Sequence, residues 1–373
     1  MIARETPLAR IHEAAGAKLV RFAGWLLPLQ FGPVAEEAMA CRRAAALFDI
    51  SHMGVISVAG EEARATTRAV LTRDVTAVPA GASVYALLCN ERGGILDDLI
   101  AMVETDALVH LVVNAANHDA DFAWLRARLG SRAVGVSDRL AASFGLALQG
   151  PRAEEILRLA AAGDVPPYQF THAWMKVAGA EALVSRTGYT GEDGFEIFGR
   201  AAEAAGLWRA LLDLGREAGL APAGLAARDI LRQEMGYPLW GQDLDADTTP
   251  LEAGLRWAID WEGDFVGKTA LEQARPERRR AGLVLDAPGI PRHGATVFAR
   301  GEEVGAVTSG TYSPHLRAGI GQAYVRVEAK LAPGDAVEVE VRGQRRPAHI
   351  ARCPFVPART KPNWIKVKGN AEP

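Results

Sequence analysis

A chain of 373 residues, 49% hydrophobic and 23% charged with a formal net charge of −3, is too long for one compact core and reads as two or three domains of an ordinary globular protein. That balance excludes collagen-like, disordered and disulfide-framework classes and argues against a general nucleic-acid binder. The longest uncharged stretch, 75–90, is broken by Pro79 and Gly81, so no segment is expected to span a membrane.

In chain order, Thr6 and Pro7 predict the start of a helix that Gly16 stops, followed by a strand over 18–23. An amphipathic helix is predicted over 34–48. Short β patterns follow at 55–58, 84–89, 95–103 and 108–114, with helices over 61–71 and 117–129. Strand signals at 144–148, 174–177, 182–186 and 195–198 alternate with helices over 151–162 and 201–218. The stretch 273–280 (QARPERRR) reads as a linker, and beyond it short strands separated by Gly/Pro turns predict a small β-barrel or sandwich. The architecture expected from pattern alone is a large α+β body with an all-β C-terminal domain.

Three dispersed cysteines form no CxxC pair and eight histidines show no ligand spacing, so no metal cluster is expected. With no apolar leader after Arg4 and Glu5, the expected location is cytoplasmic. From Arg342 onward eight Lys/Arg face one acid, Glu372, making this end locally basic.

Four segments are denser in chemistry-bearing residues than packing requires: Asp49 to Gly54, Asn90 to Asp98, Arg186 to Glu196, and Gly224 to Asp229 followed by Gly236 to Gly241. On a strand, Asp97 and Asp98 point to opposite faces and cannot share a proton as a dyad. Whichever faces a cavity has aliphatic neighbours that raise its proton affinity and suit it to proton transfer; equally, both could simply cap a turn. The glycine-rich run at 186–196 lacks phosphate-loop spacing. It reads either as a tight loop carrying Tyr189 and Glu196 into a cleft, where a carboxylate accepts paired N–H bonds, or as a solvated hairpin. Arg228 could clamp a substrate carboxylate or pair with Asp229 or Glu234 on its own helix. His52 reads as a core or capping histidine, and most of the eight tryptophans as core.

In order, the segments Thr6-Pro7-Leu8, Phe22 to Trp25, Phe48 to Gly54, Gly93 to Asp98, Val113 to Asn117, Arg186 to Glu196, Arg228-Asp229, Gly241 to Asp243, Phe265 to Lys268 and Pro354 to Pro357 resemble those of the glycine cleavage T-protein family, the aminomethyltransferases. The resemblance runs from residue 5 to about 357. It implies a three-domain cloverleaf around a central folate channel: two interleaved α+β domains (1–50 plus about 140–228, and about 51–139 plus 229–275) and a C-terminal β-barrel from about 276. It also implies transfer of an aminomethyl carbon from the lipoyl arm of H-protein to tetrahydrofolate, giving 5,10-methylenetetrahydrofolate and ammonia, with folate as substrate, no metal and no membrane or nucleic-acid partner. By position, Asp98 matches the catalytic carboxylate and Glu196 the pterin-binding one. Tyr189 and Arg228 match folate contacts, and Met53, Tyr85, Asn114 and Tyr237 match pocket positions. Trp240 stands where a tyrosine is usual, and the tail after Pro357 departs from the common ending, where Arg359 and Lys361 are candidates for holding the folate tail. Folate-dependent demethylases share this fold and are the alternative. The folate-binding protein of iron–sulfur maintenance is set aside because no cysteine stands near Gly236-Tyr237-Pro238. The basic end and Arg278-Arg279-Arg280 are the candidate surface for docking an acidic H-protein.

Overall fold

The computed structural model describes residues 3–130 and 134–364. Two sheets and a barrel carry the fold. The first sheet has seven strands, ordered Ala161–Ala162, His172–Val177, Ala180–Ser185, Gly194–Arg200, Ser143–Gln149, Ala45–Asp49 and Leu220–Pro222. The second has five, ordered Ala82–Cys89, Ile95–Thr105, Leu108–Val113, Gly54–Ala59 and Gly135–Asp138, all antiparallel. A small three-stranded sheet from Arg4–Glu5, Trp25–Gln30 and Lys18–Phe22 opens the chain.

The predicted helix over 34–48 is a helix only over Val34–Arg43; the chain then turns and Ala45–Asp49 is a strand. The reason lies in its burial. Ala45 and Leu47 pack with the helices Ala153–Ala160 and Ala204–Gly215 on one face of the sheet, while Ala46 and Phe48 join a different cluster on the other. A strand covered on both faces has no alternating pattern, and its continuous apolar run reads as an extension of the helix before it.

That second cluster is what joins the two sheets. Ala46, Phe48 and Leu183 from the first sheet meet Met102 and Val112 from the second, with Ala227 and Leu231 of the helix Leu225–Glu234 packed alongside. The far face of the five-stranded sheet carries the helices Ala63–Arg68 and His118–Leu129 over a core that includes Ile56, Leu99 and Leu125.

The C-terminal unit is a closed six-stranded barrel, running around as Arg278–Leu285, Ala318–Arg326, Glu302–Ser313, Thr296–Ala299, Ala336–Val341 and Gln344–Ala351. The stretch read as a linker therefore ends three residues early: Arg278, Arg279 and Arg280 are the first residues of a barrel strand. Their guanidinium groups bond Glu252, the Leu331 carbonyl and Gln322 respectively, so three long polar side chains at the start of a half-buried strand read as a linker. Lys366 and Lys368 of the basic end lie outside the described residues.

After the barrel the chain turns back across the body. The Arg359 N–H bonds the Gly191 carbonyl at 2.8 Å, and the Trp364 indole donates to the Ser83 carbonyl at 3.2 Å. Arg359 pairs with Glu192 at 2.6 Å and Lys361 lies 3.6 Å from Glu154. Both candidates for the folate tail are thus engaged in fastening the chain's own tail, because it runs past Glu192 of the glycine-rich loop and Glu154 of the helix Ala153–Ala160.

Candidate active site

A tight turn presents the acidic pair. Asn90 Oδ1 accepts from the Arg92 and Gly94 N–H groups at 2.9 and 3.0 Å, and Asn90 Nδ2 donates to the Ala246 carbonyl at 2.8 Å. A Cβ on Gly94 would stand 1.8 Å from that carbonyl, so this approach admits only glycine. The turn feeds the strand Ile95–Thr105, on which Ile95, Asp97 and Leu99 are buried while Leu96, Asp98 and Ile100 are partly exposed. Opposite faces were expected and are found.

The two carboxylates are nevertheless not independent. Asn114, at the end of the neighbouring strand, reaches both: its Nδ2 lies 2.9 Å from Oδ1 of Asp97 and 2.9 Å from Oδ1 of Asp98. An amide placed beyond the last ladder bond bridges what the pleat separates. Asp97 also accepts from the Asn114 N–H at 2.9 Å and from Asn117 Nδ2 at 2.7 Å. Asp98 Oδ2 accepts from the Tyr85 hydroxyl at 2.9 Å. Burial, reinforced by the Asp97 charge, pushes the Asp98 carboxyl up to about 7 against the opposing pull of the Tyr85 and Asn114 hydrogen bonds.

From the first sheet comes the binding side. Arg186, 2% exposed, bonds Asp193 at 2.9 Å and the Pro166 carbonyl at 2.8 Å, lies over the Phe195 ring and pairs with Glu154, folding the glycine-rich segment back on itself. Gln149 pins the same loop through the Thr187 carbonyl and the Thr190 hydroxyl. So held, Thr187 donates to Glu196 Oε2 at 2.6 Å, which leaves the other carboxylate oxygen without a bonded donor among the described residues.

Tyr189 stacks on Tyr237 with ring centroids 5.8 Å apart, and the Arg228 guanidinium lies 5.0 Å from the Tyr189 centroid. Neither helix partner suggested for Arg228 takes it. Asp229 is bonded by Arg232 and Gln233, and Glu234 by Arg42 and Ser313. Arg228 Nη1 is buried with no hydrogen-bond partner, and the nearby Glu196 charge supports its protonation against the lowering effect of burial. Its charge and burial also hold the His52 imidazole down at about 4, so that buried ring is neutral. Burial, with the Asp98 carboxylate nearby, pushes the Tyr85 and Tyr189 phenols well above their ordinary value and keeps them neutral, which places the acidic side and the aromatic side at one site. Met53 is partly buried and packs against the cluster that joins the two sheets.

Two similarities decide the family. Residues 8–263 match the model of the GCVT N-terminal domain, and residues 278–357 match that of the glycine cleavage T-protein C-terminal barrel domain. The chain belongs to the glycine cleavage T-protein family. Relatives named aminomethyltransferase include one from Geobacillus sp. (strain WCH70), 44% identical over 94% of this chain and 98% of that protein, and one from Rubrobacter xylanophilus, 46% identical over 94% of each. Among solved structures, the glycine cleavage system aminomethyltransferase T of Bartonella henselae superposes with a TM-score of 0.90 at 38% identity, covering 96% of this chain and 99% of that one.

Within this T-protein fold, several residues beside the site carry no mark in the sequence. Trp257, 61% exposed, stacks on Tyr85 at 5.2 Å, and among dispersed tryptophans nothing distinguished it from core. Trp240, which the sequence did mark as a departure from the usual tyrosine, donates its indole N–H to the Ile95 carbonyl at 3.0 Å and packs on the same core cluster as Tyr85. Arg232 ties the helix below the site to Asp243 at 2.7 Å and to Ser309 of the barrel at 3.0 Å. The spacing of Arg228 and Arg232 on one helix face was the available signal.

Proposed function

We propose that this aminomethyltransferase takes its one-carbon unit from the lipoyl arm of H-protein and delivers it to tetrahydrofolate, with Asp98 as the group that accepts the proton leaving a folate nitrogen. The carbon of an S–CH2–NH3+ group forms bonds to two folate nitrogens as its bonds to sulfur and to the departing ammonia break; the sulfur leaves with the bonding pair and takes one of the two folate N–H protons to become the thiol of the reduced arm, and the other proton has to go to a base. A carboxylate held half-ionised near neutral pH, with Tyr85 and Asn114 fixing both its oxygens, suits that task. This is the observation that carries the reading.

The binding side follows from the same chemistry. The open oxygen of Glu196 is suited to the N–H edge of a pterin, and the Tyr189–Tyr237 pair to its flat face. The Arg228 guanidinium, short of one partner, is suited to a carbonyl or carboxylate of the bound molecule. The strands of the two sheets fall within 45–49 with 143–222 and within 54–138, which supports a division into interleaved units of 1–50 with 140–228 and 51–139 with 229–275.

The test is a turnover assay with purified protein, tetrahydrofolate and aminomethyl-loaded H-protein, run beside a panel of free methylated amines and thioethers. Methylenetetrahydrofolate and ammonia forming in equal amounts, and only with the loaded H-protein, is the expected result. Turnover of a free methylated compound in its place would overturn the donor assignment.

A further inference from the structure

Behind Asp98 lies a second acid that the reaction as described does not use. Asp121 sits in the first turn of the helix His118–Leu129 and is 3% exposed; its N–H bonds the carbonyl of Asn117 at 2.8 Å, one turn after the Asn117 side chain that bonds Asp97 at 2.7 Å, which sets the Asp121 carboxyl against that of Asp97. Two buried carboxyl groups set against each other need a proton between them, and the donors around each say which holds it. Asp97 accepts three N–H bonds, from the backbone and side chain of Asn114 and from Asn117. Asp121 Oδ2 is buried with no hydrogen-bond partner among the described residues. A carboxylate gathers N–H donors and a carboxylic acid does not, so the charge belongs on Asp97 and the proton on Asp121.

We propose that Asp121 and Asp97 form a shared-proton pair, a neutral acid holding a buried carboxylate, which through Asn114 acts as a positioning unit for the Asp98 carboxylate. This inference rests on Asp98 being the base. The chain of contacts runs Asp121, Asp97, Asn114, Asp98 and Tyr85, and from Asp97 onward each link is a hydrogen bond of 2.9 Å. Its function is to keep one fixed negative charge beside Asp98. The groups that act on Asp98 are then that charge from its own strand, the Tyr85 hydroxyl from the next strand and the Asn114 amide; the Tyr189 phenol of the glycine-rich loop and Arg280 lie around Tyr85. Removing the proton donor at 121 lets Asp97 take up the proton itself, and Asp98 loses its charged neighbour.

Two variants separate the proton from the packing. Asp121→Asn keeps an N–H donor toward Asp97, and Asp121→Leu keeps the bulk without the donor. The Asn variant is expected to retain the acid limb of the wild-type pH profile of kcat. The Leu variant is expected to move that limb to lower pH by about 1–3 units, as for loss of a neighbouring charge, with KM for tetrahydrofolate little changed. An unmoved limb in Asp121→Leu overturns the proposal. Independently of activity, the infrared difference spectrum of wild type minus Asp121→Asn at neutral pH should contain the carbonyl band of a protonated carboxylic acid; its absence also overturns it. If instead Asp98→Asn retains full turnover while that band is present, the assignment of Asp98 fails and the shared-proton pair stands.

Discussion

A base works in its ionised form, so a carboxyl pushed up to about 7 predicts that kcat rises with pH through the neutral region and levels off above it. Asp98→Asn should abolish that limb and lower turnover by about 100-fold or more, the usual loss for a positioned proton-transfer group, with tetrahydrofolate still bound; steady-state kinetics and calorimetry read the two separately. The same group has an opposite effect on stability. The folded protein holds the Asp98 proton more tightly than the unfolded chain, so its contribution is fully present below the ordinary value of 3.8 and is lost as pH rises through about 7. Asp98→Asn should therefore melt at a higher temperature than wild type at pH 8, with the advantage shrinking as pH is lowered. At Glu196, replacement by Gln opposes donors to an N–H edge and should cost about 1–3 kcal/mol of folate affinity by titration calorimetry. Asp98 stood out in the sequence as one of an adjacent pair on a predicted strand. What no spacing shows is that Tyr85 and Asn114, on two other strands, close on its two oxygens, since cross-strand register is not written locally.

At the scale of elements, the site depends on how turns are seated. Gly94→Ala puts a methyl group into the Ala246 carbonyl, and the backbone there has no flexible side chain to give way. Overpacking of this kind should lower stability by about 1–3 kcal/mol in urea unfolding, and it should lower kcat as well because the displaced turn carries Asp97 and Asp98. Elements with one wet face, such as the strand Ile95–Thr105, were legible from alternation. Those covered on both faces were not, and Ala45–Asp49 was taken for helix because apolar residues at every position carry no period. The barrel was legible as regularly spaced short strands, the first of them over 281–285, but the start of that strand was hidden by three arginines whose stems lie along the surface and whose heads find partners across it.

For the whole molecule, the returning tail is a tie between the barrel and both sheets. Trp364 packs against the core of the five-stranded sheet, so Trp364→Ala should cost about 1–3 kcal/mol, read as a lower urea midpoint at unchanged slope. The basic end offers a second test. Arg345 lies over the Phe298 ring and 3.7 Å from Glu338, on an exposed strand of the barrel. If this face attracts an acidic H-protein, reversing Arg345 and Arg346 to Glu slows association at low salt and leaves tetrahydrofolate binding unchanged. Stopped-flow association at two ionic strengths checks it.

The interleaving of the two sheets also sets an order of assembly on the ribosome. The five-stranded sheet has all its strands once residue 138 has emerged, but Ala45–Asp49 must wait for Ser143–Gln149 on one edge and for Leu220–Pro222 on the other. A strand that is apolar on both faces is thus made early and paired late, with some ninety residues of another sheet folding in between. For that interval it is the segment of the nascent chain most open to sticking to a neighbour, and holding it is work for a chaperone rather than for the fold.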